Sequence, residues 1–151
     1  MHTTSLNINQ EIFKLIEDFA RQMNIPVSVL IKRLIARFSK RYTSRLEYRE
    51  CSVTYQPKSK EWHLFIITYT DEEYEQTLDV RKVWKLSLSF FVTMAFLHYQ
   101  YCSKSGDVSE SLRRLKHSYM ISEYNFQKNM INGTMVYTLI WGNTRPYPLR
   151  E

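Results

Sequence analysis

Glycine and proline are scarce, three and four residues in a chain of 151. That scarcity excludes long flexible linkers and leaves no glycine-rich loop to cradle phosphates. Cysteine is limited to Cys51 and Cys102, which form no disulfide framework and no C-x-x-C pair. Two reduced thiols in a reducing compartment are therefore expected. The opening Met1-His2-Thr3-Thr4-Ser5 lacks the basic start and apolar stretch of a signal peptide. The most apolar run, Leu86 to Leu97, is 12 residues long and is interrupted by Ser87, Ser89 and Thr93. A membrane span needs ~20 apolar residues, so this run reads as a buried helix. A soluble, cytoplasmic protein with no membrane partner is expected.

The familiar catalytic patterns are missing as well. There is no G-x-S-x-G turn and no Walker loop. His2, His63, His98 and His117 show no H-x-x-x-H spacing and stand beside no cysteine pair, so neither a metal nor another cofactor is expected. Asp71, Glu72, Glu73, Glu75 and Asp79 do form a carboxylate cluster. It lies at a helix start, where negative charge complements the helix dipole. The chain is not expected to be an enzyme.

What the sequence does hold is apolar material for a core, 44% of residues with 15% aromatic, and a net charge of +6. The charge is uneven. Residues 1–45 carry eight basic against three acidic side chains, residues 46–103 six against eight, and residues 104–151 seven against four. A basic excess points to a polyanionic partner only when it coincides with a motif.

The N-terminal segment supplies one. Leu6 and Ile8 alternate with Thr3, Ser5 and Asn7, as in a strand with one apolar face. Asn9 is placed to cap a helix. Ile12, Phe13, Ile16, Phe19, Ala20 and Met23 then recur at helical spacing. Ile25-Pro26 breaks that helix, and a second follows with Val27, Leu30, Ile31, Leu34, Ile35 and Phe38 on its buried side. One short strand and two amphipathic helices cannot close a core alone. The unit needs a twin.

This order, with the alternating strand, the Asn9 cap, the Met23-Asn24-Ile25 turn and Ser28 near the second helix start, resembles the ribbon-helix-helix family of Arc-, MetJ- and CopG-type repressors. The resemblance covers residues 3–42. It implies an antiparallel two-stranded ribbon that enters the major groove of double-stranded DNA, above a core of four helices. Thr3, Ser5 and Asn7 are then the base-contacting residues. The start of the second helix, Val27, Ser28 and Lys32, is the phosphate-contacting group. Lys40, Arg41 and Arg45 lie at the far end of that helix, away from DNA in the family geometry.

A second copy follows at a constant offset of 61. Asn9 falls on Thr70, Phe13 on Tyr74, Met23 on Trp84, Ile25 on Leu86 and Ser28 on Ser89; Leu30, Ile31, Ile35 and Phe38 fall on Phe91, Val92, Phe96 and Tyr99. Thr70 and Glu73 have capping-box spacing, and Ser87 is a natural cap for the next helix. The chain thus holds either both halves of one ribbon-helix-helix pair or two units that each pair with another chain. The second copy is degenerate where DNA would be read: its outward strand positions are Leu64, Ile66 and Thr68, and its first helix opens with acidic residues. That lopsidedness favours a homodimer, in which two chains pair their first strands into a symmetric ribbon. The N-terminal strand together with Ser52-Val53-Thr54-Tyr55-Gln56 and the later helices also resembles an uncharacterised spirochaete family, which implies no activity.

The fold class expected is α+β. A ribbon-helix-helix unit at 1–45 precedes an α+β region at 46–151, which holds the second copy at 64–101, a helix at 107–118 and a hairpin at 123–141 around Asn132-Gly133. Another hairpin is expected from 48–56 and 61–69 around Pro57-Lys58-Ser59-Lys60, forming a sheet that the C-terminal hairpin extends or covers. The core expected comprises Phe13, Ile16, Met23, Leu30, Leu34 and Phe38, with Tyr74, Trp84, Phe91 and Tyr99 from the second copy. The function expected is that of a sequence-specific DNA-binding protein, a repressor or autoregulator. The alternative is a protein-interaction module, such as an antitoxin-like subunit gripping a protein partner through its C-terminal region.

Overall fold

Alternation of Leu6 and Ile8 with polar neighbours produces a strand, β1 (His2–Asn9), with those two side chains buried and Thr3, Ser5 and Asn7 exposed. The computed structural model describes residues 1–42, 53–104, 115–121 and 123–142. Within them the strand leads into α1 (Gln10–Gln22) and α2 (Val27–Tyr42), then β2 (Trp62–Tyr69), α3 (Asp71–Trp84), α4 (Leu88–Lys104), and the hairpin β3 (Tyr124–Ile131) and β4 (Thr134–Trp141). The protein is mixed α+β. Among the described residues, no helix is long and apolar enough to cross a membrane.

Local chemistry sets the boundaries. The Asn9 side-chain oxygen accepts from the amides of Glu11 and Ile12, which satisfies two orphan donors of α1. Thr70 and Glu73 form the reciprocal capping box at α3. The Ser87 hydroxyl accepts from Phe90 N–H at the start of α4. Each helix pair turns through a left-handed residue, Asn24 (φ 53°) in the first and Lys85 (φ 54°) in the second. These two residues stand 61 apart, as do Gln10 and Asp71 at the starts of α1 and α3, and Val27 and Leu88 at the starts of α2 and α4. Sequence repeat and structural repeat coincide.

β1 pairs antiparallel with β2 of the same chain, so that Ser5 lies opposite Ile66. Ile66 is also the repeat counterpart of Ser5, which places a local twofold axis between them. Beneath the sheet, Leu6, Ile8, Ile67 and Tyr69 join Leu30, Ile31, Leu34 and Ile35 of α2 and Phe91, Val92 and Phe96 of α4 in one core. Phe13, Ile16, Phe38 and Tyr99 are buried as expected, whereas Met23, Tyr74 and Trp84 are only partly buried and pack against its edge.

Two expectations are corrected. First, the partner of β1 is β2 and not the first strand of a second chain. An intrachain ribbon uses the strand surfaces on which the proposed symmetric homodimer depended. Second, β2 forms no hairpin with 53–56: Thr54 makes an isolated parallel bridge to Leu86, between the α3–α4 turn and the ribbon, and residues 48–52 lie outside those described. β1 wins because Leu6 and Ile8, opposite Phe65 and His63, bury their side chains in one core with Ile67 and Tyr69. The expected helix at 107–118 lies mostly outside the described residues, and Cys51 does so entirely.

The C-terminal hairpin forms as expected and is separate from the β1–β2 sheet. Its turn places Asn132 at φ 50° and Gly133 at φ 80°, both left-handed. Two positive values are what a tight hairpin of right-handed twist requires. The hairpin docks on α3: the Tyr124 hydroxyl donates to Asp79 Oδ2 at 2.9 Å, and Lys82 and Lys85 lie over the rings of Phe126 and Tyr137. Burial, followed by this hydrogen bond, raises the Tyr124 pKa above its ordinary 10.0. Because the folded value is the higher one, this contribution is complete below pH 10 and fades as pH rises through the folded value. Tyr124→Phe is expected to cost about 1 kcal/mol, given the partial exposure of the pair. Urea unfolding at pH 7 and pH 10.5 checks it: the gap between wild type and variant should narrow at the higher pH.

Candidate nucleic-acid interface

The exposed face of the β1–β2 sheet brings the three expected base-contacting residues into one row. Thr3, Ser5 and Asn7 are exposed, and each has an outward neighbour directly across the ribbon: Thr68, Ile66 and Leu64 respectively. Side chains so opposed stand about 5 Å apart at Cβ. One end of the ribbon is thus hydroxylic, with Thr3 beside Thr68. The other end is mixed, with Asn7 beside Leu64, and the middle sets Ser5 beside Ile66. Leu64 is 59% exposed and Ile66 63% exposed, and at the mixed end Trp62 is 40% exposed. Two large aliphatic side chains held in water on a strand cost hydrophobic free energy.

The free edge of β1 is fastened from the side. Asn7 N–H donates to the Ser89 hydroxyl at 3.1 Å, and Asn7 C=O accepts from Gln56 Nε2. The Gln56 carbonyl in turn accepts from the Thr93 hydroxyl at 3.4 Å. Asn9 Nδ2 donates to the Ser59 hydroxyl at 2.7 Å. Asn7 is therefore gripped through its backbone while its side chain remains at the surface. Ser89 is the repeat counterpart of Ser28, so a position read as a phosphate contact in the first copy serves in the second to hold the ribbon. No sequence pattern assigned Gln56 this role, since its partners lie 49 and 37 residues away.

The expected phosphate contacts fare unevenly. Val27 and Ser28 do open α2 and are half-buried. Lys32, the third of them, pairs through its ammonium with the Glu73 carboxylate and lies 5.3 Å from the centre of the Tyr69 ring. Lysine and glutamate side chains are only 22% and 14% exposed. Lys32 thus neutralises an acidic residue of the second copy. Glu73, together with burial, holds the Tyr69 hydroxyl above its ordinary pKa, burial being the larger cause. Lys40 lies over the Trp141 ring of β4, at 5.4 Å. The side chain of Arg41, and Arg45 as a whole, lie outside the described residues.

Exposed cations near the ribbon come from a segment with no family counterpart. Lys58 and Lys60 flank Ser59, which is hydrogen-bonded to Asn9 at the mixed end. At the hydroxylic end the terminal ammonium and His2 sit 3.1 and 3.3 Å from Asp71 Oδ1. Asp71 is held below the ordinary carboxylate range, first by the hydrogen bond from that ammonium and then by its charge. Among the described residues, no group of three or more histidine, cysteine, aspartate or glutamate side chains is placed to hold a metal ion.

Compared with known proteins, the chain matches no family model, no curated sequence and no solved structure.

Proposed function

We propose that this protein binds double-stranded DNA in a sequence-specific manner and acts as a transcriptional repressor or autoregulator, with the β1–β2 ribbon as its reading element. The observation that carries the proposal is the register. Ser5 faces its own repeat counterpart Ile66, so two strand-helix-helix copies meet about a local twofold axis. That is the arrangement implied by resemblance to the ribbon-helix-helix family, built within a single chain. A two-stranded ribbon fits the major groove, and hydroxyl and amide side chains on its outer face suit base edges. Thr3, Ser5, Asn7 and Thr68 supply those groups. The amides of Val27 and Ser28, with Lys58 and Lys60, supply phosphate contacts.

Asn7 gives the decisive variant, because the ribbon holds its backbone independently of its side chain. Asn7→Ala is expected to reduce discrimination between a selected operator and a scrambled duplex by about 1–3 kcal/mol, while random-sequence binding changes little. Gel-shift or fluorescence anisotropy titrations of wild type and variant on both duplexes, at two salt concentrations, measure it. Equal affinity of the wild-type protein for the two duplexes would end the DNA-reading proposal.

A second reading rests on the exposure of Leu64 and Ile66 and of Met130 and Ile131 at the C-terminal hairpin. These suit a protein partner, as for an antitoxin-like subunit. Co-purification of a stoichiometric protein that is lost in a Leu64→Ser, Ile66→Ser variant supports that reading.

A further inference from the structure

We infer that the ribbon reads an asymmetric DNA site as a single chain, with Ile66 and Leu64 packed on thymine methyl groups. This inference rests on the proposal that the ribbon binds DNA, and it concerns what that same face recognises. A ribbon made by two identical chains presents the same residues on either side of its twofold axis and so selects a palindrome. Here the axis runs between Ser5 and Ile66, and the symmetry-related positions differ in chemistry. Asn7 corresponds to Thr68, Thr3 to Leu64, and Ser5 to Ile66. The ends of the outer face are therefore unlike: two hydroxyls at one, an amide beside an aliphatic side chain at the other.

Aliphatic side chains are not idle in a major groove. The groove presents one apolar feature among its donors and acceptors, the C5-methyl group of thymine. Leu64 and Ile66 stand on alternate residues of one strand, on the same face and more than half exposed. Each has a hydrogen-bonding residue directly across the ribbon, Asn7 and Ser5. A base pair lying under either row meets one polar and one apolar side chain, which suits an A·T pair with its methyl on the β2 side.

The test uses the full chain and a random duplex library. Selected duplexes are expected to lack twofold symmetry, to carry thymines in the centre and in one half, and to bind one chain each by sedimentation. Replacing those thymines with deoxyuridine removes only the methyl groups. It is expected to weaken binding about fourfold per methyl, the value of one buried carbon group. Leu64→Ser with Ile66→Ser should weaken binding to the thymine duplex and abolish the response to deoxyuridine. Both positions are exposed, and an unchanged urea midpoint of the double variant establishes that the fold is intact. A palindromic selected site, or selected-duplex binding indifferent to deoxyuridine, overturns the inference while leaving the DNA reading in place. A library that yields no enriched sequence removes that reading and the inference together.

Discussion

Truncating Phe91 to alanine is expected to cost about 3–5 kcal/mol, the range for a large aromatic side chain removed from a core. Phe91 belongs to α4 and is almost fully buried. Its ring meets Phe38 of α2 edge-on at 5.2 Å and Trp84 of α3 edge-on at 5.5 Å, and those two rings stack at 5.2 Å. Three aromatic side chains from three helices thus meet at one point, across the boundary between the two copies. Edge-on and stacked pairs add about 0.5–1.5 kcal/mol each beyond area burial, so their loss is part of the cost. Phe91→Leu keeps most of the volume and is expected to cost under about 2 kcal/mol. Urea unfolding followed by tryptophan fluorescence and far-UV circular dichroism measures both. If the two copies share one core, both probes report a single transition in the wild type and in both variants. A loss of only a few tenths on Phe91→Ala would show that α4 does not bury this face against α2.

Much of this architecture was written in local signals. Asn9, Thr70 with Glu73, and Ser87 cap helices where their chemistry requires. Asn132-Gly133 makes the hairpin its φ values demand. The 61-residue offset even contains the strand register, since two copies related by a twofold axis must place some residue opposite its own counterpart. Choosing the partner of β1 needed more than the offset. Leu64 and Ile66 look wrong beside Ser5 and Asn7 if one expects a symmetric reading face, and the nearby Pro57-Lys58-Ser59-Lys60 turn advertises a local hairpin. Burial decided otherwise. Leu6 and Ile8 lie opposite Phe65 and His63 and share one core with Ile67 and Tyr69, and a strand with one apolar face fixes its register by that face.

The candidate site was legible in its residues and not in its fastenings. Thr3, Ser5 and Asn7 could be picked out by alternation alone, because a strand period of two separates them cleanly from Leu6 and Ile8. The grip of Gln56 and Ser89 on the Asn7 backbone could not, because an edge strand advertises nothing in sequence about which side chain will satisfy its amides. The Lys32–Glu73 pair was equally hidden. At the symmetry-related positions the first copy has Ile12 and the second has Thr93, so the repeat itself gives no hint of charge. Those two residues line a cleft of about 370 Å³ together with Trp62, Phe90, Met94 and Leu97. The same pair of positions holds an ion pair in one half of the molecule and, in the other, an isoleucine beside a threonine whose hydroxyl donates to Gln56.

That contrast supplies its own experiment. Lys32→Thr should destabilise the protein by about 2–4 kcal/mol, because it strands the Glu73 carboxylate at a largely buried position; the figure is set below that for a fully buried pair because both side chains retain some water contact. Glu73→Ile should cost at least as much, since Glu73 also accepts from Thr70 N–H in the capping box of α3. The double variant installs the residues found at the related positions, Thr93 and Ile12. It leaves no unpaired charge, and replacing a buried ion pair by packed side chains is often close to neutral. It should therefore regain most of the loss, short of the cap, and the coupling between the two changes should be large and opposite in sign to their separate effects. Denaturant unfolding of all four proteins completes the cycle. The same proteins decide whether Lys32 touches DNA: a phosphate contact would make the salt dependence of binding shallower by about one ion in Lys32→Thr. With its ammonium held by Glu73 over the Tyr69 ring, Lys32 should change stability and leave that slope where it was. Additive losses in the double variant would show that the pair carries no coupling, and a shallower slope would return Lys32 to the phosphate contacts.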